Sequence, residues 1–314
     1  MANKALPETN TIFEQPWWLN AVAPDVWDAI EISKDNEIVA RLPYVVKRKM
    51  GLKALAMPPL TQFLGPWLTP STAKYAVQLS QQKELMTSLI EQLPPHDYFS
   101  QSFHYSVTNW LPFYWRGFNQ TTRYTYIIEA LDDLERVWAQ FKKETRTAIR
   151  KAEKQLTVRT DLDIEQFLDI NSMSFKRQGL ELPYSRDLVR RLDAACTENR
   201  SRRMFFAEDA QGRIHAAEYV VWDKNSAYLL MTGADPELRS SNATSLLIWE
   251  AIKFAATITR WFDFEGSIIE PIETHFRSFG GVQKPYSHVT HLSRRMRFLM
   301  AGRDMVNALR SNRR

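Results

Sequence analysis

Three carboxylates occupy positions where a proton-accepting group would be expected. In the segment 214–222, Glu218 alternates with apolar residues, so it lies on an otherwise apolar strand face. Burial there would raise its pKa toward the range that suits a general base. Asp263 and Glu265 are two residues apart on one face of a predicted strand, a pattern found at sites in α/β folds. The alternatives are a solvated or ion-paired Glu218 and a capping or ion-pairing role for the other two acids.

Two arginines are candidate contacts for a phosphate in a substrate. Arg277 lies in the segment HFRSFGG, where aromatic residues and a glycine pair would allow a close grip on a phosphate. Arg177 lies near the end of a predicted helix over 163–178. The alternatives are a surface arginine in a turn for Arg277 and a complement to the helix dipole for Arg177.

A loop between a predicted strand and a predicted helix is a candidate cofactor site. Residues 239–244 read RSSNAT, and small polar residues in such a loop can point backbone N–H groups at an anion. The candidate cofactor-binding residues are Arg239, Ser241, Asn242, Ala243 and Thr244. Two aromatic residues, Trp110 in an aromatic-rich stretch and Tyr228 in a predicted strand, are candidate substrate contacts. Packing between domains is the alternative for Trp110.

Several common mechanisms lack their sequence signatures. The chain contains no P-loop, no dinucleotide-binding glycine motif, no serine-nucleophile elbow and no zinc-protease motif. His288 and His291 have no partner cluster, so we expect no metal site. The single cysteine, Cys196, cannot form an internal disulfide, which favours a reducing compartment. Short apolar runs and the lack of an apolar leader predict a cytoplasmic protein without a transmembrane segment.

Positive charge is concentrated in two segments of this 314-residue chain, whose net charge is +5. Residues 142–159 contain seven basic and two acidic side chains, and residues 294–314 contain seven arginines and one aspartate. Such segments favour an anionic partner, and a solvated helix face is the alternative. Apolar residues among the C-terminal arginines would suit peripheral contact with an anionic membrane. We expect tRNA as a candidate partner, and no DNA.

The order of predicted elements indicates an α/β (α+β) fold with two units of similar design. Two hairpin segments, EIVARLPYVV and RIHAAEYVVW, resemble each other and follow acidic turns. We expect an N-terminal unit at 1–125 and a C-terminal unit at 126–294, each a mixed twisted sheet flanked by helices. A helix over 295–314 would pack back on the first unit. Apolar spacing predicts one long helix over 131–156.

The order of these motifs resembles that of Fem-type transferases, which are tandem GNAT-fold proteins, and of acetyltransferase-like proteins from polysaccharide gene clusters. The resemblance runs from residue 12 to residue 292. It rests on FEQPWWLNAV, FHYSVTNWLPFYWRGF, TTRYTYIIE, FKKETRTAIRKAEKQLTV, YLLMTGADPELRSSNATSLLIWEAIKFA, FDFEGS and HFRSFGG. It implies two GNAT-like units and the transfer of an acyl or aminoacyl group from a carrier to an amine.

The resemblance also implies roles for individual residues. Arg177 matches a basic residue, before an H/Q-G pair, that holds nucleotide-linked phosphates. Arg277 matches a lysine near the reacting groups, but an arginine keeps its charge and cannot act as a base. The loop 239–244 matches the Q/R-x-x-G-x-G/A loop that holds the pyrophosphate of acyl-CoA in GNAT enzymes. It departs from that loop at Asn242 and Thr244, where small residues are usual.

Together these features predict an N-acyltransferase. Its carrier would be a thioester such as acyl-CoA, and its acceptor an amine on a sugar or a nucleotide-linked surface-glycan precursor. Glu218, Asp263 or Glu265 would accept the proton of the amine, and backbone N–H groups near 232–244 would stabilise the oxyanion. One alternative is a Fem-type transferase that uses aminoacyl-tRNA and acts on a peptidoglycan precursor. The other is a non-catalytic protein that binds a glycan or a membrane surface.

Overall fold

The computed structural model describes residue 6 and residues 8–177, 179–266 and 270–300. Its strands are β1 (Trp27–Lys34), β2 (Glu37–Lys49), β3 (Leu52–Ala56), β4 (Trp67–Leu68), β5 (Tyr98–Ser102), β6 (Asn119–Ile128), β7 (Leu156–Arg159), β8 (Arg202–Asp209), β9 (Ile214–Trp222), β10 (Ser226–Ala234), β11 (Trp261–Asp263) and β12 (Val282–Leu292). Its α-helices are α1 (Pro16–Val22), α2 (Tyr75–Glu91), α3 (Leu111–Tyr114), α4 (Leu134–Gln140), α5 (Lys143–Ala152), α6 (Ile164–Arg177), α7 (Arg186–Glu198), α8 (Ala243–Ala255) and α9 (Glu270–Arg277). Within these residues, no helix is long and apolar enough to cross a membrane.

The chain folds as two compact units. One consists of the described residues up to Arg123 together with those from Tyr286 onward, and the other is Tyr124–Pro285. In each unit, helices pack on a sheet that contains both parallel and antiparallel strand pairs. The predicted α/β class is therefore confirmed.

The strands of the two units are connected in the same way. In the first unit β1, β2 and β3 pair in antiparallel order, and the chain returns through α2 to place β5 parallel to β3. In the second unit β8, β9 and β10 pair in antiparallel order, and the chain returns through α8 to place β11 parallel to β10. The two similar hairpin segments of the sequence contain β2 and β9, which are the middle strands of these two sets.

Different helices cover the two faces of the sheet in the second unit. On one face, α5 and α8 pack over a core that includes Phe205, Val220 and Leu229. On the other face, the ring of Tyr219 packs edge-on against Phe167 of α6, with 5.6 Å between the ring centroids. Because successive strand residues point to opposite faces, every side chain of β9 can be assigned to one of these two environments.

The predicted helix over 131–156 is wrong, because the structure has two helices there, α4 and α5. Phe141, between them, is extended, with φ −65° and ψ 143°. Its ring packs into the core against Trp249, with 5.3 Å between the ring centroids. The N–H of Lys142 donates to the carbonyl oxygen of Ser278 at 2.9 Å. This burial and this tertiary hydrogen bond offset the helical hydrogen bonds that the break removes.

The predicted C-terminal helix over 295–314 is described only in part. Residues 294–300 are helical, and Phe298 and Leu299 are exposed. The rest of the segment lies outside the described residues. Its packing on the first unit therefore stays a prediction.

Candidate active site

A cavity of about 810 Å³ lies within the second unit, beside the start of α8. It lies beside the part of β10 that extends beyond its pairing with β11. The two strands pair only over Ser226–Tyr228 and Trp261–Asp263, after which β10 continues to Ala234 and β11 ends. The cavity is lined by Ser174, His215, Thr232, Ala234, Leu238, Arg239, Ser241, Asn242, Ala243, Thr244, Ser245, Ile248, Pro271, Ile272, His275 and Phe276. All five predicted cofactor-binding residues are in this set.

The wall of the cavity formed by β10 is held in place by α6. The side-chain N–H of Asn171 donates to the carbonyl oxygen of Thr232 at 3.0 Å. The backbone N–H of Ala234 donates to the hydroxyl of Ser174 at 2.9 Å. Gly233 lies between them, and a Cβ there would be only 2.5 Å from the backbone nitrogen of Asn171. Only glycine allows α6 to approach β10 this closely.

Asn242 gives the loop 239–244 its shape. This residue is in the left-handed region, with φ 61° and ψ 26°. Glycine is the usual residue there, and asparagine is among the side chains that tolerate the region best. The Q/R-x-x-G-x-G/A comparison places a glycine at this position. The departure at Asn242 therefore keeps the backbone conformation that a glycine would provide.

The N-terminus of α8 faces the cavity without a side-chain cap. Asn242 is the N-cap residue, and its side chain makes no capping hydrogen bond. The first N–H groups of a helix have no partners inside the helix, and they carry the positive end of its dipole. The N–H groups of Ala243, Thr244 and Ser245 are of this kind, and these three residues line the cavity. Arg239 adds a positive charge to the same wall. Together they form an environment suited to an anion.

Glu218 is fully buried in the middle of β9, on the face covered by α8. It lies opposite Phe205 of β8 and opposite Thr232 of β10, which lines the cavity. Among the described residues, neither of its carboxylate oxygens has a hydrogen-bond partner. Burial raises the pKa of Glu218 well above its ordinary value, which favours the neutral acid. The predicted apolar environment is therefore present, and the solvated or ion-paired alternative is not observed.

Asp263 is buried and Glu265 is half-buried; neither lines the cavity, and they are not neighbours on one strand face. The strand ends at Asp263 because Glu265 is in the left-handed region, with φ 59°. Its backbone N–H donates to Oδ1 of Asp263 at 2.8 Å, and the hydroxyl of Thr125 donates to the same oxygen. Burial raises the pKa of Asp263 to about 7. Burial, and then the charge of Asp263, raise the pKa of Glu265 well above its ordinary value.

Asp263 and Glu218 point to opposite faces of the sheet. Phe262 belongs to the core beneath α8, so its neighbour Asp263 points to the other side. Glu218 lies on the α8 side with Val220. The structure therefore places Glu218 and Asp263 on different sides of the sheet.

Three of the four predicted substrate contacts, Arg277, Tyr228 and Trp110, are not among the residues that line the cavity. The guanidinium of Arg277 is paired with Glu273 on α9, with 2.9 Å between Nε and Oε1. Tyr228 is fully buried, and its hydroxyl donates to Asp223 at 3.0 Å, so it has no surface to offer a ligand. Trp110 is partly buried against the core of the first unit. Arg177 is the last residue of α6, and its side chain is not among the described parts of the chain.

Two histidines that line the cavity were not predicted as site residues. His275 lies on α9 and is half-buried, and its Nε2 has no hydrogen-bond partner among the described residues. His215, at the start of β9, lies 3.0 Å from Asp209 (Nε2 to Oδ2). A helical interpretation of 270–277 would have placed Ile272, His275 and Phe276 on one face. No helix is predicted for that segment from the sequence.

Comparisons with known proteins give a matching domain family and a similar solved structure. Residues 139–268 match the family model described as an acetyltransferase (GNAT) domain. The structure is similar to the crystal structure of FemX, with a TM-score of 0.67 and 11% identity over 90% of this chain and 92% of that one. A search of curated proteins found no match.

Two further solved structures have a similar fold. One is the C-terminal domain (DUF2156) of a putative lysylphosphatidylglycerol synthetase from Agrobacterium fabrum, with a TM-score of 0.52 and 10% identity over 87% of each chain. The other is a tandem GNAT protein from the clavulanic acid biosynthesis pathway, with a TM-score of 0.50 and 11% identity over 87% of this chain and 86% of that one. Identities this low show a shared fold. Together, these comparisons show that the chain contains an acetyltransferase (GNAT) domain at residues 139–268 and has a fold like that of FemX and of the tandem GNAT protein.

Proposed function

We propose that the chain transfers an acyl group from a thioester carrier of the acyl-CoA type, and that the cavity beside α8 binds the carrier. The observation that carries this proposal is the left-handed Asn242, which leads into an uncapped helix N-terminus lining the cavity. Phosphate groups of the carrier would accept hydrogen bonds from the N–H groups of Ala243, Thr244 and Ser245. Arg239 would add a charge-assisted hydrogen bond.

The edge of β10 would hold the rest of the carrier. Beyond Tyr228, β10 has no strand partner on the side of β11 within the described residues. The carbonyl oxygen of Thr232 and the N–H of Ala234 are already bound by side chains of α6, so an extended ligand would pair with the other backbone N–H and C=O groups on that side. An N–H group of this strand near Thr232 would also stabilise the oxyanion that forms when an amine attacks the thioester carbonyl.

We also propose an amine on a sugar, or on a nucleotide-linked surface-glycan precursor, as the acceptor. The resemblance of the sequence to proteins from polysaccharide gene clusters supports this acceptor class. Hydroxyl-bearing residues in the cavity wall, including Thr232, Thr244 and Ser245, would bind sugar hydroxyls. The function would then be in the assembly of a cell-envelope polysaccharide.

Calorimetric titration with acetyl-CoA, longer acyl-CoA thioesters and free CoA tests the carrier. We expect saturable binding of acetyl-CoA that weakens when a negative charge is placed at the loop by Asn242→Asp. Ser240→Asp is a matched control, because Ser240 is exposed, lies in the same loop and does not line the cavity. If folded wild-type protein binds none of these thioesters, the carrier assignment is wrong.

Aminoacyl-tRNA is a second candidate carrier, because α5 has an exposed basic face. Within the described residues, Lys143, Arg146 and Lys151 form no ion pair, whereas Arg186 and Arg190 both pair with Glu165. The apolar face of α5 packs in the core, so its free cations point outward. Fem-type enzymes, which the sequence resembles, take their aminoacyl group from this carrier. The acceptor would then be a peptidoglycan precursor.

Salt-dependent binding of charged tRNA tests this second candidate. If α5 contacts RNA phosphates, the triple variant Lys143→Gln, Arg146→Gln, Lys151→Gln should weaken binding. It should also reduce the slope of log K against log salt by about 0.7 for each lost contact. Arg186→Gln with Arg190→Gln removes comparable charge from paired positions and is the control. An unchanged slope in the triple variant would exclude α5 as the contact.

Peripheral membrane contact is a separate proposal for the segment that begins at residue 294. Phe298 and Leu299 are exposed beside Arg295 and Arg297, and this combination suits an anionic lipid surface. Cosedimentation with vesicles containing phosphatidylglycerol, compared between wild type and Phe298→Ser, tests it. Equal binding of the two proteins would count against it.

A further inference from the structure

Acyl transfer to an amine requires a group that takes up a proton near the carrier. The three carboxylates identified from the sequence do not line the cavity. The pKa of Glu218 and that of Glu265 are both raised well above the ordinary value, so these carboxyls tend to keep their protons. Asp263 lies on the opposite face of the sheet from Glu218 and receives two hydrogen bonds at Oδ1. A proton acceptor in the cavity itself must be another residue.

His275 has the surroundings of a neutral imidazole. Its ring lies against Phe279, at 5.3 Å between the centroids, and near Phe276, at 6.1 Å. Its Nε2 is buried and has no hydrogen-bond partner among the described residues, so a substrate in the cavity would reach the ring at Nδ1. Burial lowers the pKa of His275 below its ordinary value, so the ring carries a lone pair at neutral pH.

Other charged or titratable groups lie around His275, both on α9 and across the cavity. On α9 itself, Glu273 and Arg277 pair with each other, at 2.9 Å between Oε1 and Nε. Across the cavity, Arg239 has a guanidinium group, which offers hydrogen-bond donors and no acceptor. His215 is engaged through Nε2 by Asp209, which also accepts the N–H groups of Gln211 and Arg213. Nδ1 of His215 has no partner among the described residues either, but its ring is held by a carboxylate, whereas no carboxylate bond to the ring of His275 is found among those residues.

We propose that His275 is the catalytic residue that accepts the proton of the attacking amine. This inference rests on the proposed function, because it requires the acyl carrier to occupy the same cavity. The residue lies beyond the matched domain, which ends at residue 268, so the domain match does not assign it.

The transfer of the acyl group to the amine needs no reactant besides the thioester and the amine. The amine nitrogen attacks the thioester carbonyl carbon, a C–N bond forms, and a ring nitrogen of His275 takes one N–H proton. The C–S bond then breaks, and the sulfur leaves with its electron pair as a thiolate. His275 returns the proton to the thiolate, which leaves an amide, a free thiol and a neutral imidazole.

Thiol release from acetyl-CoA tests this assignment, with glucosamine as the amine probe and with water alone as the acceptor. The proteins compared are wild type, His275→Asn, His275→Ala and His215→Asn, each with its acetyl-CoA Kd and circular dichroism spectrum measured. We expect His275→Asn to bind acetyl-CoA as wild type does and to lose about 10²–10⁴-fold in kcat for both acceptors. The wild-type rate should fall on the acidic side with a midpoint below pH 6.5, and the variant should lack this inflection.

Chemical rescue separates a proton acceptor from a structural residue. Added imidazole should restore thiol release by His275→Ala, and His215→Asn should keep the wild-type pH profile. The proposal is overturned if His275→Asn keeps the wild-type kcat and inflection, or if the inflection is lost in His215→Asn instead. If wild-type protein binds no acetyl-CoA, the proposed carrier fails. If His275→Asn binds acetyl-CoA and keeps the wild-type kcat, the role of His275 is refuted, whereas acetyl-CoA remains the carrier.

Discussion

Replacing Asn242 by valine should weaken carrier binding. The reason is the backbone conformation of the loop and not the loss of a side-chain contact with the carrier. Asn242 has φ 61°, and a residue with a side chain is disfavoured there by about 1–2 kcal/mol. Asparagine escapes part of this penalty, whereas a β-branched residue is a true outlier in this region. If the loop leaves the left-handed conformation to relieve the strain, the direction of the N-terminal N–H groups of α8 changes. These groups would then no longer point at the phosphates of the carrier. A loss of about 1–2 kcal/mol is a factor of about 5–30 in Kd.

Two further substitutions at the same position separate conformation from charge. Asn242→Gly has no side-chain penalty at positive φ, so it should bind acetyl-CoA as wild type does. Asn242→Asp also tolerates this region and favours the helix N-terminus, so its Tm should not fall. It should nevertheless bind the anionic carrier more weakly, because the new charge repels the phosphates.

Calorimetric titration with acetyl-CoA, together with thermal unfolding of each variant, measures these effects. Ser240→Val is the matched control, since Ser240 is exposed in the same loop and is not among the residues with positive φ. A folded Asn242→Val protein with the wild-type Kd would refute the reasoning. So would an equal loss of affinity in Ser240→Val.

Three other predictions concern the packing, protonation and charge around the cavity. Gly233→Ala should lower the free energy of unfolding by about 1–3 kcal/mol in urea, because its Cβ would meet the backbone of Asn171 at 2.5 Å. Glu218→Gln should raise the Tm at pH 8 and change it little at pH 4. Because the pKa of Glu218 is raised in the folded protein, the free energy of unfolding of the wild type falls as the pH rises above 4.5, the ordinary pKa of the carboxyl group. The amide of the variant does not titrate, so this pH dependence is removed. A pH-independent difference in Tm would contradict this. Arg239→Gln should weaken acetyl-CoA binding about tenfold or more, whereas Arg277→Gln, whose guanidinium is paired on α9, should leave the Kd near that of wild type. Equal losses in calorimetric titration would show that Arg277 also contacts the carrier.

The sequence predicted the fold class and the cavity loop because both depend on local patterns. Alternating apolar residues identify β9 and place Glu218 on a buried face without any knowledge of its neighbours. The order of strand, loop and helix around residues 239–244 was enough to locate a helix N-terminus. The conformation of Asn242 could not be predicted, because several residue types tolerate negative and positive φ in such a loop.

The relative positions of the acids and histidines could not be predicted, because tertiary contacts decide them. Asp263 and Glu265 would share a face only if the strand continued, and it ends where Glu265 turns to positive φ. The helix predicted over 131–156 breaks because Phe141 gains more by packing against Trp249 than by remaining helical. His275 faces the cavity because α9 packs there, which the spacing of its own residues does not reveal.

The pairing of β5 with residues 288–292 of β12 has a consequence for synthesis on the ribosome. The second unit is one continuous stretch of chain, whereas the first unit needs residues from Tyr286 onward as well as those before Arg123. The second unit can therefore complete its sheet while the first still waits for its last strand, which reverses the usual N-terminal-first order. Until residue 292 emerges, one edge of β5 remains unpaired and can bind other unpaired strands. The nascent chain is therefore prone to aggregation during this stage. A fragment that ends at Arg123 lacks β12, so its β5 edge would remain unpaired.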